Sequence, residues 1–460
     1  MAKQQTIYIC QQCGATSPRW QGKCFDCSAW NSFTEEKVST TKGKSNDRAG
    51  LTSTEGARGL FEFSNEMAGN ELGRRMSSGF PEIDRVLGGG FLEGSLVLFG
   101  GDPGVGKSTL LLQIVGQLAQ KHSVLYVSGE ESGHQVAARA VRLNVPKSDN
   151  LEFLATSNLE EALEACSKTK PVFAVIDSVQ TLNSRELESA AGTVSQVREV
   201  TQRFLDFAKT QNVCVALVGH VTKEGQIAGP KLLEHMVDGV FFFEQANQGA
   251  YRLLKSYKNR FGSVHELAVL EMQSRGLVEV ANPSQRFLEE RNTSAAGSAI
   301  VAQVDGSRAL LTEVQALTQR CYQGFPRRTS QGIDQNRVSV LLAVLEKYLE
   351  MNFSQEDVYC KVASGEKIVE AAADLPLAFS LVSAILGRPL PSDLLLVGEV
   401  GLGGELRSVP AIAPRLKEAK SVGIRRAIIP HWNSKELEKV DGIELIVCKN
   451  ISEVNSKLFN

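Results

Sequence analysis

Apolar positions in this chain recur in two rhythms. Short continuous apolar runs at 96–99, 124–127, 172–176 and 213–218 are separated by segments whose apolar residues return every three or four positions, as at 109–119 and 194–209. A run of four to six apolar residues suits a strand covered on both faces, and the longer spacing suits a helix with one buried stripe. Their alternation from about Gly73 to Asn282 predicts a parallel α/β sheet, one domain over 73–282.

The rhythm changes over 283–460. Runs at 299–304 and 310–314 lead into a helix starting near Gln335, with Val338, Leu341, Leu342, Leu345 and Leu349 at helical spacing. Further strands are predicted at 358–362 and 394–397, and a long apolar helix at about 368–386, which makes this an α+β region. At the other end, residues 1–33 hold a cysteine cluster. Residues 34–72 are polar and charged, a composition that cannot bury a core and predicts a flexible linker.

Composition narrows the function classes. The 460 residues suffice for two or three domains, with 42% hydrophobic and 22% charged residues, an ordinary globular balance. Net charge is only −2, so any attraction for nucleic acid has to come from local patches. The N-terminus builds no apolar signal region, and no stretch reaches the ~20 apolar residues of a membrane span, so no membrane role is expected. Of nine cysteines, four cluster and five are scattered, mostly in apolar runs. That is not a disulfide framework, and it points to a reducing, cytoplasmic setting.

The sharpest motif is Gly101-Asp102-Pro103-Gly104-Val105-Gly106-Lys107-Ser108, which fits G-x-x-x-x-G-K-[ST] at every fixed position. An apolar strand precedes it, and Thr109 continues into an apolar helix. Glycines let successive N–H groups turn toward phosphates, and the helix N-terminus adds its dipole. ATP is the expected ligand, with Lys107 on its β- and γ-phosphates and the Ser108 hydroxyl on Mg²⁺. Two acids argue for hydrolysis. Asp177 ends the strand 172–176, where it would hold Mg²⁺ through water. Glu130 follows the strand 124–127, expected beside the P-loop strand, and is placed to activate the attacking water, with Glu131 as its competitor.

Cys10, Cys13, Cys24 and Cys27 form two C-x-x-C knuckles, which together suit a tetrahedral all-sulfur Zn²⁺ site. Iron–sulfur ligation and a redox C-x-x-C are the alternatives. Trp20, Phe25, Trp30 and Phe33 interleave with Arg19 and Lys23 around it. Such a mixture stacks bases and contacts phosphates, or else serves as the small domain's own core.

Lys258-Asn259-Arg260-Phe261-Gly262 reads as a basic turn between strands at 251–256 and 264–270. Two cations one residue apart on an extended segment point the same way. They could reach a nucleotide across a subunit interface, clamp DNA phosphates, or simply be solvated.

With residues 79–90 (GFPEIDRVLGGG), the P-loop, the four cysteines and this K-N-R-F-G run, the whole chain resembles the bacterial RadA (Sms) family of RecA-fold ATPases. The resemblance implies a hexameric ring, a DNA-dependent ATPase of homologous recombination and repair that drives branch migration. Single-stranded and branched DNA and the RecA recombinase are its implied partners. It puts Glu130 at the catalytic glutamate position and His220 where the γ-phosphate is sensed. It makes residues 221 to about 234 a DNA-facing loop carrying Lys223 and Lys231, and it favours a functional role for Lys258 and Arg260.

Residues 394–400, the run Gly401-Leu402-Gly403-Gly404-Glu405-Leu406-Arg407 and Val409-Pro410 resemble the proteolytic domain of Lon. Lon uses a Ser–Lys dyad. Here the serine region reads Ala371-Ala372-Ala373-Asp374-Leu375-Pro376, and Arg415, which cannot act as a base, stands for the lysine. The expected architecture is therefore a RecA-like P-loop ATPase core with an N-terminal four-cysteine zinc finger and an inactive Lon-protease-like α+β domain. Rival readings are a RecA-fold regulator of proteins, which would ignore single-stranded DNA, and an ATP-dependent protease, which the missing dyad opposes.

Overall fold

The computed structural model describes residues 3–12, 14–40, 75–219, 230–245, 251–264, 266–305, 308–322, 324–363, 367–435, 437 and 442–459. Expectations for the linker beyond residue 40 and for Cys13, His220 and Lys223 fall outside these residues. The chain divides into two compact units, Met1–Gln245 with Ala250–Glu279, and Ala246–Gly249 with Val280–Asn460.

The first unit begins with a small ribbon of β1 (Lys3–Cys10), β2 (Thr16–Ser17) and β3 (Phe33–Thr40), antiparallel in the order β2-β1-β3. Its apolar core is little more than Cys10, Cys24 and Phe33, with Tyr8 and Ala15 packed against them.

After β4 (Arg75–Met76), helix α1 (Pro81–Leu87) and β5 (Phe91–Leu92), the main sheet starts at β6 (Leu96–Gly101), which feeds α2 (Lys107–Leu118). There follow β7 (Val124–Ser128), α3 (Gly133–Arg142), β8 (Leu151–Ala155), α4 (Leu159–Thr169) and β9 (Phe173–Asp177). Then come α5 (Val194–Gln211), β10 (Cys214–Val218), α6 (Pro230–Met236) and β11 (Gly239–Gln245). Three antiparallel strands close the sheet, β12 (Tyr251–Asn259), β13 (Leu267–Gln273) and β14 (Gly276–Glu279). The strand order is β14-β13-β12-β11-β6-β10-β9-β7-β8, and neighbours from β11 to β8 are parallel. Alternate residues of β6 serve opposite cores: Val97 and Phe99 face α2, while Leu96 and Leu98 join the α5 side. Two layers of helices therefore cover the continuous apolar runs, as their composition requires.

Three expectations change here, the first being that residues 34–40, expected as the start of the linker, form β3 paired with β1. Strand β7 is not beside the P-loop strand, because β10 and β9 lie between them. A run of apolar residues fixes a strand but not its place in the sheet, and the crossover connections put later strands inside. The K-N-R-F-G segment is less of a turn than its composition suggests. Lys258 and Asn259 still belong to β12, pairing with Val240 and Gly239, and a bulge opposite Val240/Phe241 leaves Tyr257 as the extra, exposed residue.

The second unit starts with α7 (Pro283–Leu288), β15 (Ser298–Asp305), β16 (Arg308–Arg320), β17 (Arg328–Gln331), α8 (Gln335–Leu349) and β18 (Glu356–Val362). A 3₁₀ turn (Ala371–Ala373) leads into the buried helix α9 (Asp374–Leu386), and β19 (Leu394–Leu396), β20 (Glu399–Val400), β21 (Leu406–Arg407) and α10 (Ile412–Ser421) follow. The unit ends with β22 (Arg426–Pro430), α11 (His431–Ser434), β23 (Glu444–Cys448) and α12 (Ile451–Phe459). Its sheets run β15-β16-β18-β17 and β19-β22-β23, packed on α8 and α9. The helix expected from 368 starts only at Asp374. Ile368 bridges to Ile333, Glu370 accepts a hydrogen bond from the Val304 N–H (2.6 Å), and Asp374 pairs with Arg337 (2.6 Å). These polar anchors hold the segment extended until the 3₁₀ turn.

Candidate functional site

The P-loop leaves β6 at Gly101 and enters α2 at Lys107. Gly101 (φ 145°) passes so close to β11 that a Cβ would stand 2.2 Å from the Phe243 carbonyl oxygen, so no other residue fits. Gly104 and Gly106 have φ of 76° and 114°, and with Asp102, Pro103 and Val105 between them the loop wraps back to the helix N-terminus. Ser108 and Thr109 follow in the first turn of α2. The Lys107 ammonium is buried and donates to the carbonyls of Gly101 (2.7 Å) and Asp102 (3.0 Å). Burial pushes this lysine down to about 8, against the opposing pull of Asp177, Asp102 and Glu130.

Those acids lie at or just after the ends of three strands, β6, β7 and β9. Asp177 is buried at the end of β9 and accepts the Tyr126 hydroxyl (2.6 Å) from β7. Burial and this carboxylate hold the phenol well above its usual range, so Tyr126 remains a donor. Glu130 overcomes the distance of β7 from β6 because its loop bends toward the end of β9, where Ser178 Oγ donates to Glu130 Oε1 (2.7 Å). Glu131 instead forms an ion pair with Arg139 of α3. Tyr126 and Ser178 carry no motif of their own. The one sequence signal for Tyr126 is a hydroxyl placed inside an apolar run, which has to find a buried partner.

Lys258 in β12 reaches into α6, and Arg260 just beyond the strand's end reaches the α6–β11 connection. Lys258 Nζ donates to the Glu234 carbonyl (2.6 Å), and Arg260 Nη1 pairs with Asp238 Oδ1 (3.2 Å). Burial and the Arg260 guanidinium hold Lys258 below the usual lysine range. Lys231 lies within α6. The same strand carries Arg252, whose buried guanidinium donates through Nε to the Val105 carbonyl of the P-loop (2.9 Å). Neither Asp238 nor Arg252 stood out in the sequence.

In the ribbon, Cys10, Cys24 and Cys27 bring their sulfurs within 4.8 Å of one another, and Cys10 Sγ lies 3.6 Å from Cys27 Sγ. Three converging thiols with a fourth cysteine nearby in sequence are a donor set suited to a tetrahedral ion. The two knuckles repeat one backbone pattern. Cys10 N–H donates to Ala15 and Gly14 N–H to Cys10, while Cys24 N–H donates to Ala29 and Ser28 N–H to Cys24, all at 2.8–2.9 Å. Phe33 is buried in the ribbon core, whereas Trp20, Phe25 and Trp30 are exposed and the Lys23 ammonium sits 5.6 Å from the Trp30 ring centroid.

In the second unit Arg415 is buried, ion-paired with Glu370 and bonded to the Ala302 carbonyl, and its Nε donates to Pro410 (3.3 Å). Glu370 immediately precedes Ala371-Ala372-Ala373, so a structural ion pair occupies the region where the Lon-like resemblance would put its dyad.

Strand, P-loop and helix, with Asp177 on a strand two places from the P-loop strand, define a RecA-like P-loop ATPase core, joined to a metal-binding ribbon and a Lon-like α+β unit. Known families match in the same order: the rubredoxin metal binding domain over residues 8–35, the AAA domain over 68–226 and subunit ChlI of Mg-chelatase over 329–433. A DNA repair protein RadA from Bacillus subtilis is 46% identical over 455 residues, covering 98% of each chain, and one from Pseudomonas aeruginosa is 44% identical over 459 residues, covering 100% of each. The chain belongs to the RadA family. A crystal structure of a KaiC-like protein from Pyrococcus horikoshii OT3 is similar at 22% identity with a TM-score of 0.39, covering 45% of this chain and 99% of that one. Among the described residues no helix is long and apolar enough to cross a membrane.

Proposed function

We propose that this chain is a DNA-dependent ATPase of homologous recombination and DNA repair, which turns ATP cleavage into branch migration of recombination intermediates alongside the RecA recombinase. One observation carries the reading: Lys107, Asp177 and Glu130 converge at the P-loop of a chain whose full-length relatives are named for DNA repair. The P-loop backbone N–H groups between Gly101 and Thr109, excepting Pro103, which has none, bind the phosphates, which replace the loop carbonyls as acceptors for Lys107. Ser108 directly and Asp177 through water would hold Mg²⁺, which would supply neutralisation of the phosphate charge. Glu130 orients and deprotonates the attacking water, a role favoured over Glu131 because Arg139 already engages Glu131.

His220 senses the γ-phosphate, and the segment with Lys223 and Lys231 faces single-stranded or branched DNA. Lys258 and Arg260 act on the nucleotide of a neighbouring copy in a hexameric ring, a role supported by the exposure of Arg260. Zn²⁺ held by Cys10, Cys13, Cys24 and Cys27 supplies the ribbon's folding energy. The Lon-like unit acts as a scaffold and not as a protease, since Arg415 and Glu370 form an ion pair there. The cytoplasm is the proposed site of action.

Strand separation on a forked duplex with ATP tests the motor: the natural chain opens the fork and Lys107→Ala does not. A fork left closed by both would end the motor reading. Arg260→Ala should lose ATP turnover, by ~10³-fold or more as for other trans-acting arginines, while keeping nucleotide binding. Normal turnover in that variant would remove Arg260 from the site.

A further inference from the structure

Arg260 is 57% exposed in its side chain, yet both its backbone and its guanidinium are tied to one buried acid. Arg260 N–H donates to the Asp238 carbonyl (3.0 Å), and Nη1 pairs with Asp238 Oδ1 (3.2 Å). Asp238 itself, 3% exposed in its side chain, is fixed from three further directions. Oδ2 accepts from the Leu96 N–H (3.1 Å) and from Lys209 Nζ (2.7 Å), and the Asp238 N–H donates to the Leu96 carbonyl (2.8 Å). Lys209 also lies 5.9 Å from the ring centroid of Phe261, the residue after Arg260.

We propose that Asp238 is the positioning residue for Arg260, holding its guanidinium at the place from which it meets the neighbouring copy's nucleotide. The inference rests on the reading of Arg260 given above. An exposed ion pair contributes little by attraction alone. This acid is different because it cannot move: the start of β6 and the end of α5 both grip it. What it provides is orientation, and orientation of a charged donor is what stabilising a phosphoryl-transfer transition state requires. The charge matters as well as the shape. Asparagine would have to turn an NH₂ group toward either Arg260 or the Lys209 and Leu96 donors, so one of these contacts becomes donor against donor.

The test uses full-length chains in mixed assemblies. Asp238→Asn alone should lower kcat by ~10-fold or more, with binding of a fluorescent ADP analogue changed less than ~2-fold. Asp238→Asn chains keep an intact P-loop, and Lys107→Ala chains keep an intact Arg260. Co-assembled from differently tagged copies, the mixture should regain turnover per intact P-loop at least ~3-fold above Asp238→Asn alone, because the good arginine now comes from next door. Arg260→Ala mixed with Lys107→Ala is the reference. If that reference recovers and the Asp238→Asn mixture does not, or if Asp238→Asn turns over normally, Asp238 does not position Arg260. If neither mixture recovers, Arg260 does not act between copies, and the underlying reading fails together with the inference. Should Asp238→Asn not fold, Asp238→Glu carries the same measurements, since its extra methylene displaces the guanidinium while keeping the charge.

Discussion

Lys107 illustrates how one burial sets two opposite pH dependences. Burial pushes it down to about 8, below its ordinary value of 10.5. Only the ammonium attracts phosphate, so nucleotide affinity should fall as pH rises through about 8; a dissociation constant unchanged between pH 7 and 9.5 would contradict this. Stability runs the other way. Between about 8 and 10.5 the unfolded chain binds the proton that the folded lysine has lost, so this residue makes folding more favourable as pH climbs through that window.

Arg415 gives a second residue-scale expectation. Arg415→Ala leaves Glu370 with the Val304 N–H but without its ion-pair partner and takes a donor from two carbonyls, and should destabilise the C-terminal unit by ~1–3 kcal/mol in chemical denaturation. A loss below ~1 kcal/mol would mean that water already reaches the pair. The places of Lys107 in the P-loop and of Asp177 at a strand end could be foreseen because local patterns encode them. The contacts of Asp238 and Arg252 could not, since Asp238 meets Leu96, Lys209 and Arg260 at 142, 29 and 22 residues' separation and Arg252 meets Val105 at 147.

At the scale of elements, the ribbon is the part whose folding depends most on something outside its own side chains. Three strands around Cys10, Cys24 and Phe33 bury too little apolar surface to offset the ordering of the chain. Stripping the metal with a chelator, or Cys24→Ser, should open residues 1–40 to proteolysis while the P-loop still binds nucleotide. Continued resistance after complete metal removal would show that the ribbon folds without an ion. The strands and helices of the main sheet were legible because continuous apolar runs and helical spacing are strong signals. Element ends were less so. The start of α9 is set by Glu370 and Asp374 meeting Val304 and Arg337, and the reach of β12 by a bulge at Tyr257, and neither leaves a local trace in the sequence.

For the whole molecule, a net charge of −2 means that DNA affinity has to come from a few local cations. Binding of single-stranded DNA should therefore weaken log-linearly with salt, with a slope near −0.7 per phosphate contact. A salt-independent affinity would point to a protein ligand instead. The sheet's strand order was beyond sequence reading, because it depends on which crossovers pack and not on any one segment.

That order gives β12 two tasks at once. Near one end Arg252 steadies the P-loop at Val105, and beyond the other end Arg260 is presented outward, eight residues further along a single extended strand. An inserted or deleted residue between them would reverse the face on which one of the two projects. On the role proposed for Arg260, the chain's own P-loop and the nucleotide next door share a single ruler, and its length cannot drift without putting the two out of step.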